Sequence, residues 1–469
     1  MSETPIIEID KPTFARALGP VEGTCIVIGT VIGSGIFLVP ASVARDAGSW
    51  GFGTILLIWV VCGLLSLAGA LSYAELSAMF PRAGGQYVYL REAYGSLWAF
   101  LFGWMEFWVA RAGSVAALAV AFAHYAGVFT HQDGDWGVRW TAFIMIFSLT
   151  VVNYLGVRWG GTVQVLFTAT KVAALGALIV CAFALPGGDT RNWQPWFSSG
   201  AGGLAGLPMV IGTVMIAVLW AYDGWANGAA VSEEMKQPQR DVPRALFFGT
   251  SIIMALYLLA NLAYHFTLPM SQINGNERVA GAVAERLFGG VGGGLVSAAV
   301  MISTFGATNG LMLTGPRIFY AMSRDGVFFQ EMGELHSRFR TPHWAILFQG
   351  LWAGLLVLVP FNDLLNSLFH WHLDTPLYDQ LFTFVIFPSW AFYGMTVAGV
   401  LVMRRTRPQL ARPYRAWGYP AVPVLFIFTA LAFVAHTLVH QPMESMAGLG
   451  IIALGLPAYA GWNRGRKNT

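Results

Sequence analysis

The feature that most constrains this chain is the length of its apolar runs. Windows of about twenty apolar residues, the length needed to cross a bilayer, recur at roughly 21–44, 53–79, 98–128, 138–156, 162–185, 205–231, 245–268, 288–320, 343–360, 378–403, 421–440 and 445–462. Only 11% of the residues are charged, against about 25% in a soluble domain. A soluble chain this long would divide into domains joined by polar linkers, and no polar stretch of that kind is found. Lipid offers no water to unpaired backbone groups, so the spans must be helices. The alternating ten-residue pattern of a membrane barrel is missing. The expected fold is all-α, a single transmembrane domain of about twelve helices.

Residues 1–20 mix Glu3, Glu8 and Asp10 with Lys11 and Arg16. They lack the basic start and cleavage site of a signal peptide, so the first apolar run is expected to stay in the protein. Cys25, Cys62 and Cys181 all lie in apolar runs without a CxxC spacing, and neither a metal, a cofactor nor a disulfide framework is expected. The small net charge of +3 says little about partners, and no nucleic-acid partner is expected. An even number of spans puts both termini on one side. Most of the 27 Lys and Arg residues share that side, including Arg404, Arg405, Arg407, Arg412 and Arg415, then Arg464, Arg466 and Lys467. The positive-inside rule therefore predicts that the N-terminus (1–20) and the tail (463–469) are cytoplasmic.

Two spans carry weak points at mid-membrane. The first contains Gly33-Ser34-Gly35 and the sixth contains Tyr222-Asp223-Gly224; each glycine costs about 1 kcal/mol relative to alanine inside a helix. A lone Gly-x-Gly would read as a close helix contact. Two breaks, each in the first helix of a five-helix set, point to inverted repeats at 21–185 and 205–403, with 421–462 as two extra helices. Unwound backbone at that depth survives only where it lines a cavity or meets a ligand. The N–H groups of Ser34, Gly35 and Ile36 open a half-helix whose dipole favours a carboxylate. Carbonyls near Ile32 and at Trp220–Ala221 are placed to accept from an ammonium group. A zwitterion fits both.

Six ordered blocks then carry a resemblance: "GTVIGSGIF" (29–37), "SYAELSAMFPRAGGQYVYLREAYG" (72–95), "WMEFWVARAGS" (104–114), "AYDGWANGAAVSEEMKQPQRDVPRAL" (221–246), "STFGATNGLMLTGPRIFYAMSRDG" (303–326) and "RPYRAWGYPAVP" (412–423). With them the chain resembles the amino acid–polyamine–organocation superfamily, and within it the L-type amino acid transporter branch. The resemblance implies the leucine-transporter fold of five plus five inverted helices with two more, and alternating access around an amino acid at the membrane midplane. It implies that the glycine loop binds the substrate's carboxylate and amine, and that Trp220 closes over the substrate, the alternative being a packing aromatic. Lys171 shares a helix face with Gln164 and Thr168, at i, i+4 and i+7. Charge in lipid is costly, so that face should turn inward, unless the lysine reaches an interface. The resemblance makes its ammonium a stand-in for sodium, with a carbonyl near Gly29 or Ile32 and a hydroxyl on the eighth helix as partners. Ser303 is the first choice for that hydroxyl and Thr304 the alternative.

Glu106 and Arg111, five residues apart, point about 140° away from each other on an α-helix, and each is expected to pair across helices. Glu75, Arg82, Glu233, Glu234 and Arg324 sit near cytoplasmic helix ends, where solvated charges are expected over inner-gate pairs. Asp223 is expected to cap the half-helix that follows, with a contact to a cationic substrate as the alternative. Relatives in the resembled family have Asn or Asp directly after the sixth-helix Trp; this chain has Ala226, then Asn227. The connection 361–380 is long and holds His370 and His372, read as an interfacial loop. The loop "THQDGDWGVRW" has no cysteine, so no disulfide-linked heavy subunit is expected, and a monomer or weak oligomer is. No HExxH, GxSxG or P-loop pattern suggests an enzyme, and no continuous polar face suggests a channel. A receptor that binds without transport would use the same pocket. The expected function is sodium-independent transport of neutral L-amino acids at the plasma or inner membrane, by exchange in preference to proton symport. The low charge expected in the pocket favours a neutral side chain; the alternative is a cationic amino acid or polyamine exchanger.

Overall fold

A computed structural model describes residues 14–131, 134–200, 203–276, 278–359, 377–440 and 442–467. His370 and His372, most of the 361–380 connection and residues 1–13 lie outside that set. Among the described residues the regular elements are helical, and the single strand-like pairing joins Leu18 to Met235.

The first span is two helices, α1 (Pro20–Val31) and α2 (Gly35–Ala47). Pro20 opens α1 with its φ already helical, and the Glu22 carboxylate accepts the Gly19 N–H at 2.9 Å. After α3 (Phe52–Met79) and the short α4 (Gln86–Tyr94), the third span runs as α5 (Ser96–Met105), a π-helical turn over Glu106–Ala110, and α6 (Arg111–Thr130). Helices α7 (Asp135–Tyr154) and α8 (Val157–Ala184) complete the first five spans. The sixth begins with α9 (Gly203–Ala221) and resumes as a 3-10 run, Trp225–Glu234. Then come α10 (Pro238–Thr267), the short α11 (Met270–Ile273) and α12 (Val279–Phe288), and the long α13 (Val291–Arg324). Helices α14 (His343–Leu358), α15 (Leu377–Thr406), α16 (Ala421–His440) and α17 (Pro442–Lys467) follow.

Eleven stretches among the described residues are long and apolar enough to cross a bilayer. The ninth predicted span, 343–360, is represented by α14 with 16 residues. At 1.5 Å per residue α14 extends about 24 Å, short of a hydrocarbon core of about 30 Å. Helix α1 lies at the centre, against α8, α10 and α13, while α3 packs along α10 and α6 along α13. The apolar window of the first span is 89% buried and that of the last span 17%, so the broken helix is the hub and α17 lies at the periphery.

The helix ends predicted to be cytoplasmic depart from the solvated reading for two of the five charges. Glu234 and Arg317 are fully buried and form a two-pronged pair at 2.7 and 3.2 Å. Glu75 is buried too, accepting from Arg404 at 2.6 and 2.9 Å and from the Ala416 N–H at 2.7 Å. A buried carboxylate needs such partners, because an isolated one would cost several kcal/mol. Glu233 accepts the Ala83 N–H at 3.0 Å, whereas Arg82 and Arg324 are exposed. The segment before α1 is fastened to the same region. Leu18 donates its N–H to Glu234 O at 3.0 Å and accepts from Lys236 N at 2.8 Å, and Phe14 packs with Ala83, Leu335 and Tyr320.

Candidate functional site: a chamber between two broken helices

A helix broken at mid-membrane leaves carbonyls without their usual donors, and each must find another. In the first span Gly33 N turns back to Val31 O at 2.8 Å, so Gly29 O loses the donor that a continuous helix would supply. The Lys171 ammonium takes that place. It donates to Gly29 O at 2.9 Å, Ile32 O at 2.6 Å and Ser303 O at 2.8 Å. The Ser303 hydroxyl donates to Ile32 O at 3.0 Å and Gly33 O at 2.8 Å. Tyr257 donates to Val31 O and to Ala221 O at 3.2 and 3.1 Å, tying both breaks together. Thr30 reaches across to Gly224 O at 3.0 Å. Gly224 has φ +108, and a Cβ there would lie 3.0 Å from Thr30 O, so glycine is required both for the turn and for the approach of the two chains.

The breaks face one chamber. Its volume is about 60 Å³, taken as the space open to the centre of a water molecule, several times the roughly 10–15 Å³ that seats one water. One wall is Gly33, Ser34 and Gly35 at the start of α2; the facing wall is Trp220, Ala221, Asp223 and Gly224 at the end of α9. In α2, Phe37 and Leu38 return their N–H groups to Ser34 O at 3.0 and 3.2 Å. The amides ahead of them form the positive end of the half-helix. The third span adds Glu106, Arg111 and Ser114, the sixth adds Asn227, and α15 adds Ser389 and Tyr393.

Several sequence expectations are corrected by this geometry. Glu106 and Arg111 pair within their own helix, Nη2 to Oε2 at 2.7 Å, because the π turn over Glu106–Ala110 replaces the i→i+4 register by i→i+5 and returns both side chains to one face. Arg111 also pairs across helices, with Asn227 Oδ1 at 2.8 Å. The chamber is therefore not low in charge: two carboxylates and one guanidinium line it. Asp223 does not cap the following run, whose N-cap is Gly224; its carboxylate accepts from the Tyr393 hydroxyl at 2.8 Å. Ser303 meets Lys171 through its carbonyl rather than its hydroxyl. Thr304 bonds back to Val300 O and Met301 O on its own helix.

Of the predicted residues, Ile32, Ile36 and Tyr222 do not line the chamber. Ile32 acts through its carbonyl, and Tyr222 is buried between the rings of Trp59 and Tyr257. Ser389 and Tyr393 escaped the sequence reading. Their signal was a polar pair at i, i+4 within the otherwise apolar stretch 384–395.

Interrupted spans meeting at a polar chamber, inside a bundle of membrane-crossing helices, define an integral, multi-pass membrane protein of the carrier class. The family model described as amino acid permease matches residues 18–454. The serine/threonine exchanger SteT of Bacillus subtilis is 32% identical over 453 residues, 96% of this chain and 97% of its own. The b(0,+)-type amino acid transporter 1 of Mus musculus is 31% identical over 93% of this chain and 85% of its own. The cystine/glutamate transporter of Homo sapiens is 32% identical over 96% and 86%. The chain belongs to the amino acid permease family, and its function is amino acid transport.

Proposed function

We propose that this permease exchanges neutral L-amino acids across the plasma or inner membrane, without sodium, with both termini in the cytoplasm. The observation that carries the reading is the chamber itself, where the start of α2 and the end of α9 present bare backbone to the same small space. The substrate carboxylate sits at Gly33–Gly35, on the positive end of α2. Its ammonium takes the second lone pairs of Trp220 O and Ala221 O, which accept from the Asp223 N–H and the Tyr257 hydroxyl, each carbonyl having two. Trp220 closes the chamber. Residues 21–185 and 205–403 act as the two inverted repeats, rocking about the site.

Lys171 supports sodium independence. Its ammonium already occupies the three-carbonyl cage at the break, where a mobile cation would otherwise be drawn. A fixed charge brings in no gradient, so the exchange of one amino acid for another is favoured. One observation favours a second substrate class. Asp223 faces the chamber with Tyr393 as its hydrogen-bond partner and no ion-pair partner within 4 Å among the described residues, which suits a cationic side chain.

The test is uptake of labelled amino acids into proteoliposomes, with a competition panel and with or without internal amino acid, sodium or a pH gradient. Uptake stimulated by internal amino acid and indifferent to sodium is expected. A strict need for either ion gradient, with no effect of internal amino acid, refutes exchange.

A further inference from the structure

Within the chamber, we propose that Arg111 is a masked anion site, and that Glu106 and Asn227 keep acidic amino acids out by occupying its guanidinium. The inference rests on the chamber being the amino acid site and adds the determinant of its charge selectivity.

The guanidinium is engaged both along its Nε/Nη2 side and at Nη1. Nε and Nη2 meet Glu106 Oε2 at 3.1 and 2.7 Å, Nη1 meets Asn227 Oδ1 at 2.8 Å, and Thr314 Oγ1 lies 3.5 Å from Nη1. The position is built. The π turn aims Glu106 and Arg111 at one face, and Gly315 makes room for the arginine stem, since a Cβ there would stand 2.7 and 2.8 Å from Arg111 Cγ and Cδ. Glu106, Arg111 and Asn227 all line the chamber. A guanidinium is a planar fork matched to a carboxylate, so a free one at this place would bind an acidic side chain. Glu106 already plays the part of that side chain, and Asn227 covers the remaining edge. With Asp223 on the opposite wall, the chamber's formal charge is one unit negative and repels a second carboxylate.

Removing the mask reverses this. Glu106→Gln keeps the shape and one acceptor oxygen while stranding a buried positive charge, which an incoming carboxylate would neutralise. Asn227→Ala exposes Nη1 without changing charge.

The experiment measures inhibition by glutamate and aspartate relative to a neutral amino acid, in proteoliposomes carrying wild type, E106Q, N227A, the double variant and D223N. The acidic-to-neutral ratio is expected to rise roughly tenfold in E106Q, the scale of one charge-assisted hydrogen bond. It should rise less in N227A and most in the double variant. D223N makes the same unit change in charge without touching Arg111 and is expected to give a smaller rise than E106Q. Equal rises in D223N and E106Q overturn the proposal, because net charge alone would then decide. No rise in either E106Q or N227A also overturns it, and if E106Q does not fold, N227A alone decides. A wild type that binds no amino acid overturns the underlying functional reading instead.

Discussion

Gly35→Ala is the sharpest perturbation that the junction offers. Gly35 is the first residue of α2 and meets Ala221, the last residue of α9. A Cβ at Gly35 would lie 2.9 Å from both the Cα and the Cβ of Ala221. Carbon atoms make ordinary contact from about 3.5 Å, so the half-helices must part by about 0.6 Å. Such overpacking costs typically 1–3 kcal/mol. Because the clash exists only where the breaks touch, it disfavours that closed junction by roughly 5- to 150-fold, at 1.4 kcal/mol per factor of ten. Alanine leaves the Gly35 N–H in place, so the effect separates packing from loss of the carboxylate donor. The assay is exchange rate and substrate affinity in proteoliposomes, with thermal stability in detergent as a control for folding. Uptake is expected to fall at least about fivefold while the protein stays folded. Ala221→Gly deletes the methyl group and so relieves half of the clash, leaving the backbone carbon in place. The double variant should therefore recover part of the loss, with a coupling of about 0.5–3 kcal/mol. Wild-type uptake by G35A, or no recovery in the double variant, refutes the reasoning.

Lys171→Met removes the donor from Gly29 O, while Ile32 O keeps the Ser303 hydroxyl. One orphaned buried carbonyl costs about 1–3 kcal/mol. Lower thermal stability and slower exchange are expected, and unchanged values of both would remove the lysine's role at the break. Glu92, on α4 outside the spans, has its carboxyl held below the usual glutamate range; burial pushes it up, but hydrogen bonds from Arg407 and Arg91 prevail. A carboxyl depressed by folding adds stability above its unfolded pKa and loses it as pH falls through the folded value. Wild type should therefore lose thermal stability on acidification below about pH 4.5 more steeply than Glu92→Gln, and parallel acid slopes in the two proteins would count against the network.

The sequence by itself determined the class of fold and where two of its helices break. Apolar runs of membrane length admit only helices, because no other element satisfies its own backbone in lipid. Glycines at 33, 35 and 224 mark where those helices give way, since a residue without a side chain lets the chain turn and approach its partner closely there. Lys171 was legible for a related reason: a charge at that depth has to meet something. Tertiary structure decided the rest. The π turn at Glu106–Ala110 leaves no compositional trace, yet it converts two residues on opposed faces into a pair. Glu75 and Glu234 lie at helix ends, where sequence predicts water, and only the arrival of Arg404 and Arg317 from distant helices makes their burial tolerable. Asp223 finds Tyr393 some 170 positions along the chain. Helical periodicity reports which face of one element is apolar; it carries no record of which polar group on another helix will stand opposite, and the chamber is made of such oppositions.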